Sequence, residues 1–156
     1  MPKKSPTSSQ LLLGSKTHYQ FDKPSYQILQ AVDNPHPDTD YSIKLTCPEF
    51  TSICPITGQP DFAHIIIDYV PNIKIIESKS LKLYLFSYRN HGAFHEKCTI
   101  QIAKDLINCI QPKWLRISGF WFPRGGIPID IFFEKGKLPK NIYVKENSPY
   151  QYLPRQ

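Results

Sequence analysis

Residues Tyr41 to Val70 read YSIKLTCPEFTSICPITGQPDFAHIIIDYV, and the way this stretch divides decides the fold. Its first part, YSIKLTC (Tyr41–Cys47), sets Ile43, Leu45 and Cys47 against Ser42, Lys44 and Thr46, the two-residue period of a half-buried strand. Its last part, FAHIIIDYV (Phe62–Val70), is a β-branched run suited to a buried strand. Between them, CPITGQPD (Cys54–Asp61) stiffens the chain with prolines on either side of Thr57-Gly58. The two runs are expected to pair antiparallel across that loop.

Downstream the period changes. KSLKLYLFSYRN (Lys79–Asn90) places Leu81, Leu85 and Tyr88 at helical spacing. FHEKCTIQIAKDLINCIQP (Phe94–Pro112) does the same with Ile100, Ala103, Ile107 and Ile110, and Pro112 follows its end. HGAF (His91–Phe94) separates these two helices. WLRISGFWF (Trp114–Phe122) and IPIDIFF (Ile127–Phe133) read as strands joined by PRGG (Pro123–Gly126), a hairpin-type turn. The order strand, strand, helix, helix, strand, strand predicts an α+β fold: a four-stranded antiparallel sheet with both helices on one face. Such a sheet keeps two open edges, so an oligomer with sites where subunits meet is expected. Upstream, YQILQAV (Tyr26–Val32) fits a short strand or a turn of helix, and NPHPDTD (Asn34–Asp40) a loop. Residues 1–24 read as a loosely ordered polar leader, and residues 25–156 as a single domain.

The bulk composition agrees. A chain of 156 residues with 40% hydrophobic and 13% aromatic residues can build one core, and 15 prolines argue against a helical bundle. A net charge of +6 favours an anionic partner. The charge is spread along the chain, so no nucleic-acid arm is indicated. The apolar run Leu11–Leu13 is too short for a signal sequence, and no stretch reads as a membrane span. The expected location is cytoplasmic, with Cys47, Cys54, Cys98 and Cys109 reduced. Their spacings form neither a zinc ribbon nor a CxxC pair, and with His64, His91 and His95 they match no standard metal set. No metal is expected.

Several residues invite a chemical reading beside an ordinary one. Cys54 lies in a loop after a strand and Asp61 opens the next; each alone is unremarkable for a turn. Together they offer a nucleophile and a proton donor, which a thiol attacking an electrophile requires. Glu96 in HE (His95–Glu96) suits the first turn of a helix, and equally offers two acceptors to adjacent N–H donors of a planar heterocycle. ESKSLKLY (Glu77–Tyr84) contains N-cap candidates in Ser78 and Ser80. It is also a basic helix start whose backbone N–H groups suit a phosphate. PRGG brings Arg124 and a flexible Gly125-Gly126 backbone to one place, for turn geometry or for a ligand.

The combination resembles the QueF nitrile reductases, NADPH-dependent enzymes that act on 7-cyano-7-deazaguanine in queuosine biosynthesis. ESKSLKLY matches their signature, and CPITGQPD, FHE and PRGG occur in the family's order, over roughly Tyr41 to Phe133. The resemblance implies a tunnelling fold whose subunits close into a ring-shaped barrel, in the short form a decamer of two stacked pentamers. It implies that Cys54 is the nucleophile, forming a covalent thioimidate, and Asp61 the proton donor. Ile76, Glu77, Ser78, His95 and Glu96 would hold the deazaguanine. Ser78, Lys79, Arg124 and Gly125 would contact NADPH. A Cys54–Cys98 disulfide under oxidation is a further expectation. The alternatives are another tunnel-fold enzyme, such as a GTP cyclohydrolase-like one, and a non-catalytic purine-binding oligomer; neither needs a cysteine–aspartate pair beside a nicotinamide site. No direct nucleic-acid or membrane partner is expected.

Overall fold

The computed structural model describes residues 23–148; the expected leader lies almost wholly outside them, as does the end of the chain. Strand β2 (Ile43–Ile53) pairs antiparallel with β3 (Pro60–Val70) and runs well past the expected end at Cys47. The reason the periodicity stops there is a β-bulge. Pairing passes from Cys47↔Ile65 to Phe50↔Ala63, so β2 carries one extra residue at Pro48–Glu49. Pro48 has no N–H to give a ladder, and a bulge is where that loss matters least. The extra residue reverses the alternation. Ile43, Leu45 and Cys47 face the core before it; Phe50 and Ser52, both buried, do so after it.

The same device recurs on β5 (Trp114–Arg124), which pairs with β3 on one side and with β6 (Ile127–Gly136) on the other. The β5–β6 register passes from Trp121↔Ile129 to Arg124↔Ile127, with Phe122 and Pro123 holding the extra residue. Arg124 is thereby turned onto the face of Trp121. The hairpin closes on Gly125 and Gly126 at φ 58° and 81°. A two-residue turn of this hand needs both residues in the left-handed region, so glycine is the natural occupant. The strand order is β2-β3-β5-β6, antiparallel throughout, as expected.

Helices α1 (Ser78–Phe86) and α2 (His95–Ile110) cover one face. In α2 the buried stripe is His95, Cys98, Thr99, Ile102, Ala103, Leu106 and Ile110. Of the residues expected there, Ala103 and Ile110 are buried, while Ile100 and Ile107 only flank the stripe. A Cβ on Gly119 of β5 would stand 2.7 Å from Thr99 Oγ1, so only glycine admits α2 this close. Leu81, Leu85 and Tyr88 are buried as expected, although α1 stops before Tyr88. The Tyr88 and Trp121 rings pack on Phe50 at 5.4 and 5.6 Å, joining the post-bulge part of β2 to both helices and β5.

Before the main sheet, the Tyr26–Val32 region takes both expected forms in turn: a 3₁₀ turn at Tyr26–Ile28, then β1 (Ala31–Asp33). β1 pairs with β4 (Lys74–Ile76), a short strand that the sequence pattern did not reveal, and so fixes the entry to α1. On the sheet face away from the helices, buried Asp68 gathers Arg116 at 3.0 Å, Lys44 at 3.4 Å and the amide of Asn147 at 2.7 Å. Among the described residues no helix is long and apolar enough to cross a membrane.

Phe50 shows whether the bulge is a working part of the core. It is 1% exposed, and Phe50→Ala is expected to cost about 3–5 kcal/mol in chemical unfolding; a loss below about 1 kcal/mol would mean that the inverted half of β2 is not packed as described.

Candidate active site

The Cys54–Gln59 loop closes on itself. The Cys54 N–H donates to the Gln59 carbonyl at 2.8 Å, and the Gly58 N–H donates to the Cys54 carbonyl at 3.0 Å, with Gly58 at φ 70°. One residue before the loop, Ile53 donates to the His91 carbonyl at 3.1 Å and accepts from the Ala93 N–H at 3.1 Å. The break between the helices is thus tied to the loop, and His95, the first residue of α2, is carried to the same place.

Because the β2 bulge inverts the alternation, Ser52 faces inward directly opposite Asp61 in the ladder. Cys54 continues that face, diagonal to Asp61. The Cys54 side of the site is an anion nest. The Thr57 hydroxyl, the Arg124 guanidinium and the backbone N–H groups of Thr57 and Ile56 all bond its sulfur, in that order of influence, and bring its pKa down to about 6. Cys54 is 6% exposed, yet desolvation is the smallest influence on it. The other thiols behave in the opposite way. Burial pushes Cys47 and Cys98 up to about 11, and Cys109 upward as well.

Asp61 is buried, with His95 Nε2 at 3.2 Å from Oδ2 and Arg124 Nε at 3.2 Å from Oδ1. The contact to Arg124 is an ion pair without hydrogen-bond alignment, and Asp61 Oδ1 is left with no hydrogen bond. Ser52 Oγ, its cross-strand neighbour, has only a weak contact with the Cys98 thiol. These are the two buried side-chain oxygens without a conventional partner among the described residues. Buried polar atoms are rarely left so, and a pair of them marks a place where a ligand's polar groups fit. His95 itself is held flat on Trp121, with ring centroids 4.1 Å apart and planes 11° from parallel. Trp121 Nε1 in turn donates to Thr99 Oγ1 at 3.1 Å, and Thr99 Oγ1 donates to the His95 carbonyl at 2.9 Å.

The family model for QueF-like proteins matches residues 60–140. Over 154 residues the chain is 54% identical to the NADPH-dependent 7-cyano-7-deazaguanine reductase of Rhodopseudomonas palustris (strain TIE-1), covering 99% of this chain and 97% of that protein. The chain belongs to the QueF family. The enzyme of the same name from Parvibaculum lavamentivorans is 61% identical over 130 residues, 82% of this chain and 84% of that one. Among solved structures, the apo archaeosine synthase QueF-Like superposes with a TM-score of 0.58 at 19% identity. It covers 63% of this chain and 96% of its own, a likeness of fold.

The structure brings together only part of the set that the QueF resemblance singles out. Cys54, Asp61, His95 and Arg124 meet, with Gly125 in the adjoining turn and Glu96 exposed one residue from His95. Ile76, Glu77, Ser78 and Lys79 lie at the other end of α1. That helix has 9 residues, so at about 1.5 Å per residue they stand on the order of 13 Å along its axis from the Cys54 end. Glu77, rather than Ser78 or Ser80, is the N-cap. Its carboxylate accepts from the N–H of Lys79 at 2.9 Å and of Ser80 at 2.7 Å. This corrects the expectation of free amides there for a phosphate: a carboxylate already occupies them. Thr57, Gln59 and Ser52 escaped the sequence reading, since a threonine in a turn or a serine in a strand carries no signal of its own. A cavity of about 590 Å³ lies between β2 and α1, lined by Phe50, Phe62, Phe86, Phe122, Lys82 and Arg89; neither Cys54 nor Asp61 lines it.

The thiols should therefore separate by reactivity. At neutral pH limiting iodoacetamide is expected to label Cys54 well ahead of Cys47 and Cys98, with the rate at Cys54 falling as pH drops through about 6, where the thiolate takes up its proton. Peptide mass mapping over a pH series reads this directly, and equal labelling of the three at pH 7 would contradict it.

Proposed function

We propose that this chain reduces the nitrile of 7-cyano-7-deazaguanine to the aminomethyl group with NADPH, through a covalent intermediate on Cys54. The activity is that of relatives that match the chain nearly end to end. The observation that supports the mechanism is a single pairing. A thiol poised at about 6 shares one face with a buried carboxyl group that has an oxygen without a hydrogen bond.

The chemistry follows from those groups. The Cys54 thiolate adds to the nitrile carbon, and Asp61 delivers a proton to the nitrogen; the product is a thioimidate, a better hydride acceptor than a nitrile. Two NADPH molecules, bound in turn, would each supply one hydride, the first to the thioimidate carbon and the second to the carbon of the imine left when sulfur departs, with the nitrogen taking its further protons from solvent. As the carbon–sulfur bond breaks, the sulfur regains its electron pair, and Thr57, Arg124 and the loop amides stabilise that thiolate as a leaving group. His95, flat on Trp121 and facing Asp61, sets the carboxylate's position and offers its ring edge to the heterocycle. Glu96 and the Ile76–Ser78 segment complete the recognition of the deazaguanine.

For the anionic cofactor, Ser78 and Lys79 begin a basic face of α1 that Lys82 and Arg89 continue beside the 590 Å³ cavity. Their side chains, rather than the capped amides, are the groups suited to phosphate, and Arg124 and Gly125 close the other side. Since one chain holds Glu77 and Cys54 at opposite ends of α1, a complete site joins the two clusters from neighbouring subunits. A tunnelling-fold ring, in the form of two stacked pentamers, supplies that arrangement. It is supported by the open edges β2 and β6 and by Ile56, Phe94, Phe122 and Ile127, all at least half exposed around the site. Covering these residues would also keep water from the imine. All four cysteines are free thiols, which suits a reducing, cytoplasmic compartment.

Incubation with 7-cyano-7-deazaguanine alone tests the reading by intact mass. One substrate mass per chain is expected on the parent protein and none on Cys54→Ala; no adduct and no nitrile-dependent NADPH oxidation would defeat it. Asp61→Asn should keep its fold and lose at least about a hundredfold in turnover, the range of a lost general acid.

A further inference from the structure

Arg124 sits where a cofactor ligand is expected, yet its guanidinium is engaged with the nucleophile's loop. Nη2 donates to Gln59 Oε1 at 2.8 Å and to Thr57 Oγ1 at 3.2 Å, Nε stands 3.2 Å from Asp61 Oδ1, and a side-chain hydrogen bond reaches the Cys54 sulfur. The residue points this way because of the Phe122–Pro123 bulge; regular alternation from Trp121 would have sent it to the opposite face.

We propose that Arg124 is a positioning residue for the nucleophile: through a direct bond to sulfur and through the Thr57 hydroxyl, it holds Cys54 as a thiolate before any cofactor arrives. The hydroxyl step is a matter of donors and acceptors. Thr57 Oγ1 accepts from Arg124 Nη2 and, at 3.4 Å, from the Gln59 N–H. Its single hydrogen has the Cys54 sulfur in reach and, at a limiting 3.5 Å, Gln59 Oε1, which already takes the shorter 2.8 Å bond from Arg124 Nη2. The strongest influence lowering the Cys54 pKa is that Thr57 bond, and the second is Arg124 itself. The coupling is reciprocal, since the bond to Cys54 is the main influence raising the Arg124 pKa.

The titratable groups of the elements around Cys54 are Arg124 on β5, Asp61 on β3, His95 on α2, which meets Asp61, and the Cys98 thiol behind Ser52. Arg124 alone among these is a permanent cation, so it stabilises the thiolate at any working pH.

This inference rests on the reductase reading only for its consequence; its test needs neither substrate nor NADPH. The alkylation rate of Cys54 is followed against pH in the full chain for the parent, Arg124→Ala, Arg124→Lys and Thr57→Val. The parent midpoint lies near 6, and Arg124→Ala should move it toward the ordinary cysteine value of about 8.5. Thr57→Val, which removes the strongest influence, should move it at least as far, and Arg124→Lys should lie between the parent and Arg124→Ala. Because a thiolate of higher pKa is also intrinsically more nucleophilic, the curves should cross: Arg124→Ala slower by several-fold at pH 6.5 and faster by several-fold at about pH 9. A merely structural role would scale the rate alike at all pH values. A parent-like midpoint in Arg124→Ala would overturn the proposal. Thr57 is exposed in the loop, so its variant decides the matter if Arg124→Ala fails to fold. Nitrile adduct formation by the parent is read separately, so failure of the reductase reading would not be mistaken for failure of this one.

Discussion

Strict alternation along a strand sends every second side chain to the same face, and this protein's site depends on breaking that rule twice. In β2 the extra residue at Pro48–Glu49 turns Phe50, Ser52 and Cys54 toward the helices; in β5 the extra residue at Phe122–Pro123 turns Arg124 the same way. Asp61, on the unbroken strand between them, is the fixed point on which both converge. A one-residue shift in a period-two structure changes everything after it. Without either bulge, Cys54 or Arg124 would lie on the opposite side of the sheet from Asp61. A proline at each bulge makes the irregularity the chain's preferred state, since an N–H that does not exist cannot join the ladder.

The electrostatic consequence is a site that sets an anionic sulfur beside a carboxyl group and places one cation against both. A thiolate beside a carboxylate is unfavourable in a partly dry cleft, because each disfavours the other's ionised form. Arg124 spans them, and its several N–H donors address both at once, which a lysine's point charge does less well. On the far side His95 meets the second oxygen of Asp61, fixed by its stack on Trp121. That stack depends on α2 lying so close to β5 that Gly119 has no room for a side chain. The core and the site therefore share residues: Trp121 packs on Phe50 and also orients His95.

A second group of residues stands apart from this one. Glu77 and Lys79 are held at the start of α1, far from Cys54, by a self-contained cap and by the small β1–β4 sheet. Strand β6 is largely exposed on both faces, with Ile127 and Phe132 at 68% and 62%. Open edges and exposed aromatics around a reactive thiol are costly for an isolated chain, and association relieves both.

Much of this was legible in the amino-acid order. The strand–strand–helix–helix–strand–strand plan followed from hydrophobic period and from turn residues. These are local properties, and DFAHIIIDY and the Gly125-Gly126 turn carry them within a few residues. Cys54 and Asp61 stood out because they bracket a stiff loop, and the family resemblance rested on contiguous motifs. What the order of residues could not show is which face each side chain takes after Pro48 and after Pro123. A bulge is defined by the count of residues on the opposing strand, and that strand is remote in sequence. The short strand β4, the Glu77 cap and the shifted stripe of α2 were hidden for the same reason. Each is decided by which partner lies opposite, and so is the pairing of Arg124 with a thiol in a loop 70 residues earlier in the chain. Local chemistry alone determined the elements and the candidates; only the packing of distant strands decided that four of those candidates share one surface.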